Sequence, residues 1–334
     1  MKNHFLIIAM FLFGMHISFA QSSAGEYSVV KTIPLAGNGG WDYLTVDRPT
    51  QRLFISHGTC VEVLDLKTGK VTGQIPNTPG VHGIAMVPAL NKGFITAGRL
   101  DSVIVFDLKT LKILDKVSTG KNPDFILFDA FSKRIFTFNG RGNSVTAIDV
   151  ETNSVIGTLP VSGKPEAAVT NGKGKIFCNI EDKSTVVMFD AVTLKIEAEW
   201  PLEPGKEPTG LDLDMKNNRL FSACSGSDQM VVLDAGNGKI IATVPIGEGC
   251  DGLVFIPGDR SIISSNGEGT LTIVRQNSPD DYKVVQTLAT RKSARTITYD
   301  ETTKKIYLPC AMVTMENGKR NIVPGSFRIV VVSK

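Results

Sequence analysis

His82 stands in the stretch Gly-Val-His-Gly-Ile-Ala, residues 80–85, between a glycine turn and the apolar run Ile-Ala-Met-Val. It lies 12 residues ahead of Phe94, and the same step back from equivalent anchors reaches Asp42, Asp124, Thr209, Asp251 and Arg295. A step of 11 reaches Glu166. Each of these residues opens a strand, so Trp41-Asp42, His82, Asp124, Glu166, Thr209, Asp251 and Arg295 occupy equivalent places. A second set, three residues beyond each anchor, includes His57, Asn139 and Asn266. Imidazole beside carboxylates is a donor set for a divalent cation: neutral imidazole suits Zn, Cu or Ni, and carboxylates suit Ca or Mg. The same groups serve a polar small-molecule site, or a channel in which they bond only to one another and to water.

The anchors that define these positions form a repeat. The segments RLFIS, KGFIT, RIFTF, KIFCN, RLFSA, SIISS and KIYLP centre on Phe54, Phe94, Phe136, Phe177, Phe221, Ile263 and Tyr307. Their spacings are 40, 42, 41, 44, 42 and 44 residues. After five of them comes a second pattern, as in VEVLDL and VTAIDV, and then a third, as in SVIGTLPVSGK. Four short strands per unit, parted by Gly, Pro, Asn and Asp turns, predict an all-β, seven-bladed β-propeller. The final FRIVVVSK reads as a third strand with no fourth, and YSVVKTIPLAGN reads as a fourth with no predecessors. Pairing them closes the ring, so residues 21–334 are expected to form one domain. Setting Asp42 opposite His57 across a hairpin puts the turn at Pro49-Thr50, so both residue sets are expected to ring one mouth of the central channel.

The stretch NSVTAIDVETNSVIGTLPVSGKPEAAV resembles the YVTN-repeat, YncE-like β-propeller family of exported bacterial proteins, and the similarity runs through all seven units. Where that family's Tyr-Val-Thr-Asn would stand, this chain has Phe-Ile-Ser-His, Phe-Thr-Phe-Asn or Phe-Ser-Ala-Cys. The resemblance implies a periplasmic propeller, one branch of the family being associated with single-stranded DNA. It carries no catalytic motif.

Residues 1–20 read as a cleavable signal peptide: Lys2, the apolar FLIIAMFLFGM, then Ser-Phe-Ala ending at Ala20. The apolar run is too short to span a membrane comfortably, so a periplasmic or secreted protein starting at Gln21 is expected, with no membrane span after cleavage. Its loss removes His4 and His16, leaving His57 and His82 as the histidines of the mature chain. It also leaves 35 basic and 33 acidic residues, a net charge of +2 that excludes no class of partner by itself. Five cysteines without a CxxC pair make neither a disulfide framework nor a zinc finger. Cys224 and Cys250, expected at the mouth on neighbouring blades, are the pair expected to bridge.

The sequence therefore points to a binding or scaffold protein with a polar, acid-rich funnel. Its expected lining is Trp41, Asp42, His57, His82, Asp124, Asn139, Glu166, Asp251, Asn266 and Arg295. The ligand is a small molecule or a divalent metal, with His57, His82 and Asp42 as the metal set, and a propeller face is also open to a protein partner. A metal-assisted hydrolase, lactonase or lyase at the same funnel is the alternative. No Gly-x-Ser-x-Gly elbow supports nucleophilic catalysis. Nucleic acid ranks lower, because carboxylates inside the funnel oppose a phosphate chain and leave only the rim, near Arg99 and Arg141. The insertion AMVTMENGKRNIVPG in the seventh unit is expected to overhang the funnel as a partial lid.

Overall fold

The computed structural model describes residues 25–316 and 318–334. The leader and its cut after Ala20 lie outside the described residues.

Local chemistry sets the strand lengths. In four units the third strand ends on an aspartate that opens an Asp-x-x-Thr turn. Asp65, Asp107, Asp149 and Asp190 each accept the backbone N–H of the threonine three residues on, at 2.7, 2.6, 2.8 and 2.8 Å. Those hydrogen bonds hold all four carboxyls below the usual range. The residue after each threonine turns left-handed: Gly69, Leu111, Asn153 and Leu194, with φ of 71°, 61°, 59° and 54°. Leucine there is strained, but Leu111 and Leu194 pack against the apolar clusters beneath them.

Seven four-stranded antiparallel sheets result. Their innermost strands are Trp41–Asp47, Val81–Val87, Pro123–Asp129, Pro165–Thr170, Pro208–Asp214, Cys250–Ile256 and Thr298–Asp300, which lead blades 1 to 7. Second strands such as Arg52–His57 are buried almost throughout, because a neighbouring blade covers each face. The repeat anchors sit there, with Phe54, Phe94, Phe136, Phe221 and Ile263 fully buried. Seven apolar clusters fill the seven junctions between successive blades. Buried hydroxyls stitch some of the same junctions, each donating at 2.7 Å to a carbonyl on the following blade. The donors and acceptors pair as Thr96 to Asp124, Thr209 to Cys250 and Thr296 to Asp42.

Ser28–Pro34 pairs with Arg328–Ser333, from Ser28 opposite Ser333 to Pro34 opposite Arg328, and so supplies the outer strand of blade 7. Deleting residues 25–36 strips that strand and removes Ile33 and Leu35 from the blade 7–blade 1 cluster, uncovering the residues they pack against. Against a domain stability of about 5–15 kcal/mol, the truncated protein is expected to melt at least ~10 °C lower or fail to fold. Circular dichroism melting checks this, and a melt within a few degrees of the intact chain would show the strand dispensable.

The Cys224–Cys250 bridge does not form; all five cysteines are free thiols. Side chains alternate across a strand. Cys224 therefore enters the blade 4–blade 5 cluster beside Val186 and Val231, while Cys250 enters the blade 5–blade 6 cluster beside Phe221 and Met230. Blade 5 stands between them. Burial pushes both thiols up to about 12. A native-state thiol reagent is expected to label Cys60, which is partly exposed, and to leave the four buried cysteines until the chain is unfolded; mass spectrometry of the adducts reads the result.

Candidate functional site at the channel mouth

A one-residue slip aims the site. Trp41, not Asp42, pairs with His57, and pairing resumes at Leu44 opposite Ile55, so the inner strand carries one residue more than its partner. The same slip separates Val81–Ala97 from Ile84–Ile95 and Pro123–Asn139 from Ile126–Thr137. It recurs in blades 4, 5 and 6. Such β-bulges redirect a side chain out of the ladder. The residues in the slipped segments include Asp42, His82, Asp124, Glu166, Thr209 and Asp251, six of the seven members of the predicted ring.

Five ring members form a chain of alternating charge across blades 6, 7, 1, 2 and 3. Asp251 pairs with Arg295, and Arg295 Nη2 lies 3.6 Å from Asp42 Oδ1. His82 Nδ1 is 2.7 Å from Asp42 Oδ2 and 3.4 Å from Asp124 Oδ1. On blade 4, Glu166 is buried and pairs at 2.5 Å with Lys164, which also pairs with Glu181. Thr209 bonds into blade 6 and adds no charge.

Burial raises two of the ring carboxyls, Asp124 and Glu166. For His82 burial works against the charge, but the hydrogen bond to Asp42 and the nearby Asp124 win, raising it above its ordinary 6.5. Asp124 is pushed up to about 6 by burial, with the His82 charge pulling the other way. Burial and the neighbouring Asp124 also raise Glu166 well above the usual range, against the pull of Lys164. Tyr43 is held as a phenol, chiefly by burial. Its ring meets Phe125 edge-on at 5.2 Å between centroids, joining blades 1 and 3 across the channel. The cavity there, about 260 Å³, is lined mainly by apolar side chains such as Leu44, Ile84 and Leu211.

The remaining predicted lining residues lie elsewhere. His57 is buried, with Nδ1 2.8 Å from Glu62 Oε1 and its ring stacked on Phe327 at 4.0 Å. The slip that turns Asp42 into the channel leaves His57 in the blade 7–blade 1 junction, so the expected metal set of His57, His82 and Asp42 does not assemble. Trp41 packs in the same junction, 5.9 Å from Phe327. Asn139 and Asn266 are buried inside their own blades, where their amides donate to Thr146 and Thr272, each at 3.0 Å. In place of His57, the structure brings Asp124 to Asp42 and His82: one donor atom from each of the three lies within 4.8 Å of the others.

His82 and Asp124 of this trio border a cleft of about 870 Å³, whose wall includes Arg99, Lys121, Arg141 and Lys164. Lys121 and Lys164 escaped the sequence reading. Their signal was a Gly-Lys pair just ahead of the proline that opens the inner strand, in TGKNPD and SGKPE.

The pH behaviour of Asp124 is testable. Its folded value lies above the ordinary 3.8, so the folded protein binds that proton more tightly than the unfolded chain. This stabilising contribution is full below about 4 and is lost as pH rises through about 6. Asp124→Asn cannot ionise and removes the step. The variant is expected to gain on the wild type by roughly 2–6 °C in Tm between pH 4 and pH 7.5. Parallel melting curves across that range would contradict the burial assigned to Asp124.

No family model matches the chain. Among curated proteins it is 24% identical over 216 residues to the uncharacterized protein YncE of Escherichia coli O157:H7, covering 60% of this chain and 50% of that one. It is 21% identical over 280 residues to YncE of Salmonella typhi, covering 79% of this chain and 67% of that one. The chain thus spans half the length of the first relative and about two thirds of the second. Among solved structures, a chain of Kuenenia stuttgartiensis hydrazine synthase superposes with a TM-score of 0.72 at 14% identity, over 87% of this chain and 97% of that one. A chain of a mitotic checkpoint complex superposes at 0.77 and 12% identity, over 99% of both. At such identities the structures share the fold alone. Repeat, ring and relatives together make this chain a seven-bladed β-propeller similar to the YncE proteins.

Proposed function

We propose that the chain is an exported binding protein that holds a divalent metal ion between Asp42, His82 and Asp124 at the channel mouth. The observation that carries this reading is the convergence of one nitrogen and two oxygen donors within 4.8 Å at the edge of a cleft large enough for a small molecule. A site of one imidazole and two carboxylates suits Zn and neighbouring transition metals. Three protein donors leave further positions facing the cleft, where a bound small molecule could complete the coordination. Export rests on the leader at residues 1–20. Its implied compartment is the periplasm, as the resemblance to exported propellers also suggests.

The proton that His82 shares with Asp42 would have to leave before a metal took the nitrogen, so binding releases protons and strengthens as pH rises. Isothermal titration of the mature protein with Zn, Cu, Ni and Ca is the test. A transition metal is expected to bind one to one, at least tenfold more tightly at pH 7.5 than at pH 5.5. His82→Ala is expected to abolish binding and Asp124→Asn to weaken it at least tenfold. His57→Ala is expected to leave it unchanged, because His57 faces Glu62 in a blade junction. Equal affinity in wild type and His82→Ala would sink the proposal.

A further inference from the structure

The insertion in the seventh unit builds a second cleft. It folds as a hairpin, Val313–Glu316 against Lys319–Ile322. Its base is fixed to the propeller: Val323 N–H donates to Met312 O at 2.9 Å, and Met312 N–H donates to Ser326 Oγ at 2.9 Å. Val313 and Ile322 pack against the blade 7–blade 1 cluster. The expected lid over the funnel is not what lines the mouth: among the described residues none of the hairpin borders the mouth cleft or the channel cavity, and it walls instead a cleft of about 800 Å³ beside blades 6 and 7. That volume is in the range of small-molecule sites.

The two walls differ in character. One is apolar, with Ala311, Met312, Val313 and Met315 along the strand that enters the hairpin. Met312 and Met315 are 60% and 68% exposed, a flexible apolar pair left facing water. The other wall carries Arg291, Lys292, Arg295 and Arg328, and among the described residues no aspartate or glutamate lines the cleft. Arg295 is committed to Asp42 and Asp251. Arg291, Lys292 and Arg328 have no carboxylate partner among the described residues. Arg328 donates only its Nε–H, to the Ser326 carbonyl at 2.8 Å. Two buried polar atoms without a hydrogen-bond partner, Thr290 Oγ1 and Arg295 Nε, also belong to residues of this cleft.

We propose that this cleft binds a free long-chain carboxylate, with its head on Arg291, Lys292 and Arg328 and its chain along Met312, Val313 and Met315. A surplus of cations with no counter-charge calls for an anion, and guanidinium groups match a carboxylate in a two-bonded geometry. An exposed methionine wall next to them calls for an aliphatic body, because covering it removes apolar surface from water. The site is independent of the metal reading: its ligand contacts include neither His82 nor Asp124.

Titration calorimetry of the mature protein with monomeric dodecanoate tests the proposal. Binding one to one is expected, weakening about fourfold for each methylene removed from the chain. Arg291→Glu with Arg328→Glu, and separately Met315→Asp, are each expected to weaken it at least tenfold. Met315 is mostly exposed, so that variant is expected to fold, and its melting curve checks this. His82→Ala is expected to leave dodecanoate binding unchanged. No binding of dodecanoate, or equal binding of the uncharged dodecanol, would overturn the proposal. So would binding confined to anionic phospholipid vesicles, which would identify a membrane surface instead of a free carboxylate.

Discussion

A propeller blade has no stable form of its own, because its second and third strands are apolar on both faces. Each face is buried only by the neighbouring blade, and seven blades in a ring provide seven junctions and no uncovered face. The strand Ser28–Pro34 decides whether that ring is complete. Without it, the last sheet ends on Arg328–Ser333 with a row of unpaired backbone groups, a free edge of the kind that recruits other chains. Tyr27, just ahead of the strand, extends the same clasp: its hydroxyl donates to Asp259 at 3.0 Å, on blade 6. Strands far apart in sequence therefore close the ring on which the blade junctions depend.

Within the closed ring, the bulge at the head of the inner strands does the aiming. A strand in perfect register alternates its side chains between the two blade junctions. One extra residue breaks that alternation and turns a side chain toward the axis. Because the slip recurs around the ring, the turned side chains converge, and residues from separate blades become neighbours. Opposite charges then pair across blades, from Asp251 through Arg295, Asp42 and His82 to Asp124. These pairs link blade to blade at the mouth, as the threonine hydroxyls also do.

Repetition frees the mouth for variation. The backbone is specified by the anchors, the Asp-x-x-Thr turns and the packed junctions, none of which lies at the mouth. The heads of the blades can then carry His82 on one, Thr209 on another and Arg295 on a third while the packed junctions stay the same. The long hairpin of blade 7 exploits the same freedom, since its base is anchored to the propeller. This is why fold likeness to propellers with other roles says little about chemistry here.

The sequence by itself determined the blade count, the strand order within each blade and the closure of the ring. All of these follow from short-range information: the 40–44-residue period, alternating apolar runs and turn residues at constant offsets. It also marked Asp42, His82, Asp124 and Asp251 as equivalent positions, since each lies at the same offset from its anchor. Only the tertiary structure decided the partners. His57 and Asp42 seemed to face each other by hairpin arithmetic, yet a slip of one residue sends His57 to Glu62 and Phe327 and leaves Asp42 to His82. The same parity sends Cys224 and Cys250 to opposite faces of blade 5. A strand changes face with every residue, so an offset too small to disturb the repeat is enough to reassign each side chain's neighbours, and it is set by pairing and packing across the whole ring.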